Sequence, residues 1–600
     1  MRDGDRERDL VIDADPRATV AQLSASLAAH ANMPDRGVLF SDRLGRLRGD
    51  ATVAACGLLT GDVVSLTGPV AARSVPSLGS GAPAVMFVVM GGPSAGLRLG
   101  LAPGRYVVGR DASADVTVDD ASLSRRHFAV EVDAAGRCQV SDLGSSNGTS
   151  IEGVGLAAEA AHPVAPGQAV EAGRSTFACG PWQAPDGSSA RVVGTRIAFN
   201  RQPRVSRGYE PPTLRLDAPP GAARAIRIPL VVAIVPLFMG LALYLLTQSP
   251  IMLMMAAFSP LMIIGSSLGD KRSGRREHIQ QLAQFKASVA RLEAQLSSSR
   301  VEEQVERRTA SPHAGELTAR AIGHLPELWE RRPTDRDFLD LRLGVADQPS
   351  IVSVAFAPGG DPSLRAGVEE TIRAYSTVPV VPVHVRLSEI GAIGIVGEAA
   401  TAEGLARWIL VQLATLQSPR DVVIAAALSP GRADAWRWLT WLPHVDHPAS
   451  PLDGPHVVAG QGPARELIRS IATIANERRE DDHGRKRGRR RTTIAVLVDD
   501  DVAPEAAVVD ELLDGCADID VVAVWLAAER RHLPGGCGVI VEASSERAVA
   551  NVTWTATGRT VPDASADALG LPIAEAIAHS LAAVVDTTAG GAAATLPRSA

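Results

Sequence analysis

Three short clusters in the first third of the chain carry side chains suited to holding an anion. They are Gly109-Arg110, then Ser124-Arg125-Arg126-His127, then Ser145-Ser146-Asn147-Gly148-Thr149. Arg110 and Arg125 offer planar forks that are always charged, Ser124 and Ser146 offer hydroxyls, and Asn147 offers an amide. Together these groups suit a dianionic phosphate and the backbone of an extended peptide. Each piece alone has a plainer reading, with Asn147-Gly148 as a hairpin turn and Ser-Arg-Arg-His as a solvated loop. Three pieces in order, all on predicted turns of one β-sandwich, favour a binding site.

The elements that must position them lie in residues 84–182, where apolar residues alternate and Gly-rich turns recur, the pattern of a small all-β domain. The runs "RYVVGR", "ADVTVDDASLSRRHFAV" and "VSDLGSSNGTSIEG" resemble the forkhead-associated (FHA) domain, a phosphothreonine reader. The resemblance implies that Arg110 and Ser124 grip the phosphate with Arg125 beside them. It implies that Ser146 and Asn147 hold the peptide backbone, and that Gly109, His127 and Gly148 brace the loops. The implied partner is a threonine-phosphorylated protein.

At 600 residues the chain is too long for one core, so several domains are expected. Sixty basic and 67 acidic residues give a net charge of −7, which leaves no global field for nucleic acid. Five cysteines without CxxC spacing argue against a disulfide framework or a zinc site and for a reducing compartment. Abundant Ala, Gly, Arg and Asp with few aromatics suggest a GC-rich, actinobacterial source. The start "MRDGDRERDL" has no apolar core and is no signal peptide. Residues 1–70 read as a strand at Leu10 to Ile12, a helix at Thr19 to Ala29 and short strands from about Gly37–Phe40 on, an order that resembles a ubiquitin-like β-grasp module, with a degenerate FHA-like module as the alternative.

Residues 183–225 are rich in Pro, Arg and Gly and read as an irregular linker. The uncharged runs 228–247 and 250–268 predict a transmembrane hairpin over 226–269. Arg224 and Arg227 before it, and Lys271, Arg272, Arg275 and Arg276 after it, place both flanks in the cytoplasm. The expectation is therefore a plasma-membrane protein with two spans in the lipid bilayer. Residues 270–310 repeat apolar positions at three- and four-residue steps, the pattern of an amphipathic stalk helix.

Residues 318–585 alternate strands and helices, which predicts a mostly parallel sheet covered on both faces. "AIGIVGEAATAEGLARWILVQLATL" has the outline of a phosphate-binding loop, with Gly394, Gly397 and Gly404 as its glycines. GxxxxGK[ST] is absent, no Lys lies between Gly391 and Gly404, and Glu398 puts a negative charge where phosphates belong. "VLVDDD" has the outline of a Walker B strand. No catalytic residue, metal site or resident cofactor is expected in these residues.

"HLPELWERRPTDRDFLDLRLG", "LATLQSPRDVVIAAAL" and "AWRWLTWLPHVDHP" resemble the degenerate, membrane-proximal domain of FtsK/SpoIIIE-type ATPases of type VII (ESX) secretion systems. That resemblance implies a multidomain chain: β-grasp-like module, FHA sandwich, membrane hairpin, stalk and a RecA-like α/β domain with a degenerate P-loop. It implies oligomeric assembly with secretion-system membrane components, and ATP with Mg²⁺ only in domains downstream of these residues. Residues 586–600 resemble the linker into such a domain, so the chain reads as the front of a longer motor or as a naturally short relative. The implied role is regulation and assembly of an ATP-driven protein exporter. A DNA translocase and a stand-alone FHA membrane adaptor are the alternatives. The basic run 485–491 beside acidic 477–482 reads as a solvated loop, with DNA or anionic lipid as the other readings.

Overall fold

The computed structural model describes residues 1–3, 6–33, 37–70, 75–182, 190–204, 209–221, 250–484, 491–544 and 549–588, with isolated positions between 235 and 246. It divides into two compact units. One comprises 1–206, 308–346 and 380–600, and the other 207–307 and 347–379.

In the first unit, the N-terminal helix Val20–Ala31 starts at Thr19 with a reciprocal capping box to Gln22. Its Val20, Leu23 and Leu27 pack with Leu39, Val64 and Leu66 into a small core. Strands Phe40–Ser41 and Val64–Ser65 pair antiparallel, and Arg2–Asp3 joins Val64–Ser65 in parallel. Leu10 to Ile12, read as a strand, is not one, and Val11 is fully exposed.

The β-sandwich of residues 84–182 has two sheets. One carries Gly104–Gly109, Phe128–Val132 and Cys138–Asp142; the other carries Val85–Gly91, Thr149–Ile151, Val170–Ala172 and Ser175–Pro181. Alternate residues of each, among them Phe87, Val89, Val108, Phe128, Val130 and Phe177, fill the space between them. Residues 190–199, inside the segment expected to be irregular, form a hairpin of Ala190–Val193 and Arg196–Phe199. Its second strand pairs parallel with Val584–Asp586, because Ile197 and Phe199 find an apolar bed in the large core.

The α/β region is built on six parallel strands in the order Val539–Ser544, Ala392–Gly397, Val521–Ala527, Thr493–Asp499, Val422–Leu428, Val457–Ala459. The central strands are buried throughout, the pattern of a sheet covered on both faces. Helix Ala399–Leu416 covers one face, and helices Gln461–Gly484 and Ala506–Leu513 cover the other. The sandwich is seated on this region. Asp567 Oδ2 accepts from Arg342 Nε at 2.7 Å, and its Oδ1 accepts from the Gly92 N–H at 3.2 Å. The Ala568 N–H donates back to Gly92 O at 3.0 Å.

The second unit holds a parallel pair, Thr213–Leu216 with Ser353–Phe356, helix Pro362–Ala374, and most of a 60-residue helix, Pro250–Thr309. Phe285, Leu292 and Leu296 of the long helix pack with Leu216 and Val368, while Ile279 is exposed.

The membrane expectation is corrected here. Among the described residues, no helix is long and apolar enough to cross a membrane. This overturns the two spanning helices, the plasma-membrane localisation and the cytoplasmic placement of both flanks drawn from them. Most of run 228–247 lies outside the described residues, and Pro250–Leu268 is the start of a helix that continues through the charged stretch up to Thr309. An apolar run is one condition for spanning and a continuous apolar helix is the other; the described residues do not supply the second.

Candidate functional site

The three clusters converge at one end of the sandwich. Gly109 ends strand Gly104–Gly109, and the Arg110 N–H donates to Ser124 O at 3.2 Å. A Cβ on Gly109 would lie 2.1 Å from Arg125 O, so only glycine lets the strand end approach the Ser-Arg turn this closely. The Ser146 N–H donates to Ser124 Oγ at 3.1 Å, and Asn147 Nδ2 donates to Ser122 O at 2.7 Å, tying the third cluster to the second.

His127 is fully buried beneath them. Its Nδ1 accepts from the Ser124 N–H at 2.9 Å, which leaves Nε2 to donate to Gly148 O at 3.0 Å. One imidazole thus fixes the spacing of two loops. Gly148 has φ +72°, a left-handed turn position.

Arg110, Arg125, Ser146 and Asn147 are exposed and Ser124 is half-buried. Among the described residues neither Arg110 nor Arg125 has an ion-pair partner within 4 Å. The Asp111 carboxylate is held below the usual range first by hydrogen bonds from Ser113, with Arg125 and Arg110 adding to this. The arrangement therefore presents two uncommitted guanidiniums beside a hydroxyl and an amide, on loops braced from below.

Two residues essential to this bracing give little signal in the sequence. Asp142 accepts from the Gly144 and Ser145 N–H groups, both at 2.9 Å, and from the Ser145 and Thr149 hydroxyls, both at 2.6 Å. Burial raises its pKa, but these hydrogen bonds outweigh burial and hold it below the usual carboxylate range. Asp120, buried, accepts from the Ser122 and Arg174 N–H groups and from Ser175 Oγ, pinning the Ser-Arg turn to the other sheet. The available hint is the Asp two residues before a turn Ser or Gly, the Asx-turn spacing.

Residues 88–182 match the family described as "Inner membrane component of T3SS, cytoplasmic domain" (Yop-YscD). Among solved structures, the FHA domain of the CT664 protein of Chlamydia trachomatis is 27% identical with TM-score 0.16, covering 17% of this chain and 99% of that one. The ESX-4 secretion system protein EccC4 of Mycobacterium tuberculosis is 32% identical over 156 residues, which is 25% of this chain and 12% of the relative. The ESX secretion system protein EccC of Thermomonospora curvata is 31% identical over 183 residues, 29% of this chain and 13% of the relative. The chain resembles an FHA-containing, EccC-like type VII secretion protein. The aligned stretches span only about an eighth of these EccC relatives.

The glycines of the loop with nucleotide-site outline do not gather around one cradle. Gly394 lies within its strand against Leu533 and Cys537. Gly397, φ +139°, lies so near the neighbouring strand that a Cβ would sit 2.1 Å from Ala543 O. Gly404 is inside helix Ala399–Leu416, and a Cβ there would sit 2.9 Å from that of Ala568. Glu398 occupies the helix N-cap without a side-chain capping bond. Nearby, Asp499 of the VLVDDD strand accepts from the Ser429 N–H at 3.2 Å and pairs with Arg432 at 3.4 Å. Arg432 also faces Glu403 at 3.7 Å, so these charges are committed to one another. Of the basic run 485–491 only Arg491 is described, 3.6 Å from Asp481; the rest lies outside the described residues.

Proposed function

We propose that this chain is a phosphothreonine-reading regulatory and assembly component of a type VII, EccC-like secretion machine. A threonine-phosphorylated protein docks at Arg110, Ser124 and Arg125, with Ser146 and Asn147 on its backbone. The observation that carries this reading is the pair of uncommitted guanidiniums, Arg110 and Arg125, on loops locked by His127 and Asp142. A dianionic phosphate supplies the partner they lack. The α/β region, whose acidic strand end is engaged with Arg432, passes the docking event on to a motor instead of hydrolysing nucleotide. The EccC similarity supports ESX components as the machinery it serves, with assembly as an oligomer.

Fluorescence anisotropy with a phosphothreonine peptide library tests this on the whole chain. Arg110→Ala should weaken the best peptide by about 10- to 100-fold, the loss of one charged hydrogen bond at about 1.5–3 kcal/mol. The unphosphorylated peptide should not bind. Equal affinity of wild type and Arg110→Ala, with the fold intact by circular dichroism, would sink the reading.

A further inference from the structure

A second constellation lies far from the phosphopeptide site, in the loop from His444 to His456. The loop is clamped at both ends to strand Val422–Leu428, with the Ile424 N–H donating to His444 O at 3.0 Å and the Ala426 N–H to His456 O at 2.7 Å. Between the clamps, Ser450 Oγ lies 2.6 Å from His456 Nε2, and His456 Nδ1 makes a short hydrogen bond with Asp446 Oδ1. Asp446 takes the left-handed conformation, φ 55°.

The hydrogen positions follow from the surroundings. Ser450 Oγ already accepts from the Leu452 N–H at 3.1 Å, so its own proton is free to go to Nε2. That leaves Nδ1 protonated and donating to Asp446. The Asp446 N–H, 3.0 Å from Nδ1, serves the same nitrogen only in the other tautomer. His456 is buried, Ser450 is half-buried, and both line an open, shallow surface depression together with Pro448, Leu452, Gly454 and Pro455. Hydroxyl, imidazole and carboxylate in this order are the parts of an activated nucleophile.

We infer that Ser450, His456 and Asp446 form a nucleophilic site that hydrolyses small, activated carboxylic esters. Ser450 Oγ bonds to the acyl carbon while its proton passes to His456 Nε2. The ester C–O bond breaks, and the alcohol leaves with that proton. Water then attacks the acyl carbon, giving one proton through His456 back to Ser450 and releasing the carboxylic acid. Ser450 and His456 are the catalytic residues. Asp446 is a positioning residue that holds the imidazole tautomer.

The test treats the full chain with a fluorophosphonate probe and maps the adduct by peptide mass. Here a P–O bond forms at Ser450, the P–F bond breaks, and the hydroxyl proton leaves as HF. The expected result is an adduct on Ser450, slowed at least tenfold in His456→Gln of unchanged melting temperature, and p-nitrophenyl acetate turnover that Ser450→Ala abolishes. Asp446 is 68% exposed, so Asp446→Asn should keep the wild-type melting temperature. Asp446→Asn should slow labelling several-fold and alter its pH profile, which a purely structural role would not do. No adduct on Ser450, or equal labelling of wild type and Asp446→Asn, would overturn the inference.

Discussion

Arg342→Met should loosen the seat of the sandwich on the α/β region, and its magnitude follows from burial. Arg342 and Asp567 are 4% and 0% exposed and meet at 2.7 Å. Asp567 also takes the Gly92 N–H, and Gln412 secures the Arg342 backbone from both sides at 2.8 and 2.9 Å. Removing one member of such a pair leaves the other charge buried alone, at a cost of about 3–5 kcal/mol. Hydrogen exchange on peptides spanning 85–101 and 560–570 reads this locally, and each 1.4 kcal/mol is about tenfold in opening. Exchange there should quicken by at least about a hundredfold. The effect also has a pH signature. Burial raises the Asp567 pKa, and Arg342 opposes it. Without Arg342 the folded-state value rises further above the unfolded one, so stability persists in acid and is lost as pH climbs through it. The defect of Arg342→Met should therefore grow from pH 5 to pH 8. In the double variant Arg342→Met/Asp567→Asn the singles should not add, with a coupling of about 2–3 kcal/mol. Additive singles, or exchange within threefold of wild type, would refute the buried-pair account.

Gly109→Ala should reduce phosphopeptide affinity at least tenfold, because the new Cβ meets Arg125 O at 2.1 Å; Gly155→Ala, with open space around it and no left-handed backbone, is the anisotropy control. Asp142→Asn should cost the sandwich about 1–3 kcal/mol, since an amide nitrogen then faces hydroxyls or backbone N–H groups, and thermal melting checks it. Because the Asp142 pKa is lowered on folding, its contribution is full above the usual carboxylate range and fades as pH falls through the folded value. Burial pushes His313 and His444 down to about 3, so the unfolded chain binds protons more readily than the folded one. Stability should fall as pH drops from 6.5 towards 3, by about 1.4 kcal/mol per unit for each histidine, and His444→Gln should flatten that slope in urea titrations.

Much of this molecule is written in short stretches. In "RYVVGR" and "FAVEV" every second residue, Tyr106 and Val108, then Phe128, Val130 and Val132, meets the sandwich core, and "DVVIAAAL" is apolar throughout because its strand is covered on both faces. Asn147-Gly148 is legible as a turn for the same reason: turn residues signal their own backbone geometry. The membrane reading failed where composition was asked to stand for a continuous helix, and Leu10 to Ile12 failed as a strand because its neighbours in the sheet were already supplied.

Sequence alone settled the local periodicities, the turns and the lack of a Walker lysine, since each depends on residues a few positions apart. The tertiary structure decided that Asp142 and Asp120 lock the loops beneath Arg110 and Arg125. It also paired Arg342 with Asp567, 225 residues away, and folded the 444–456 loop so that Ser450, His456 and Asp446 meet. Those contacts depend on how the chain closes on itself in space, and residue spacing carries no record of that closure.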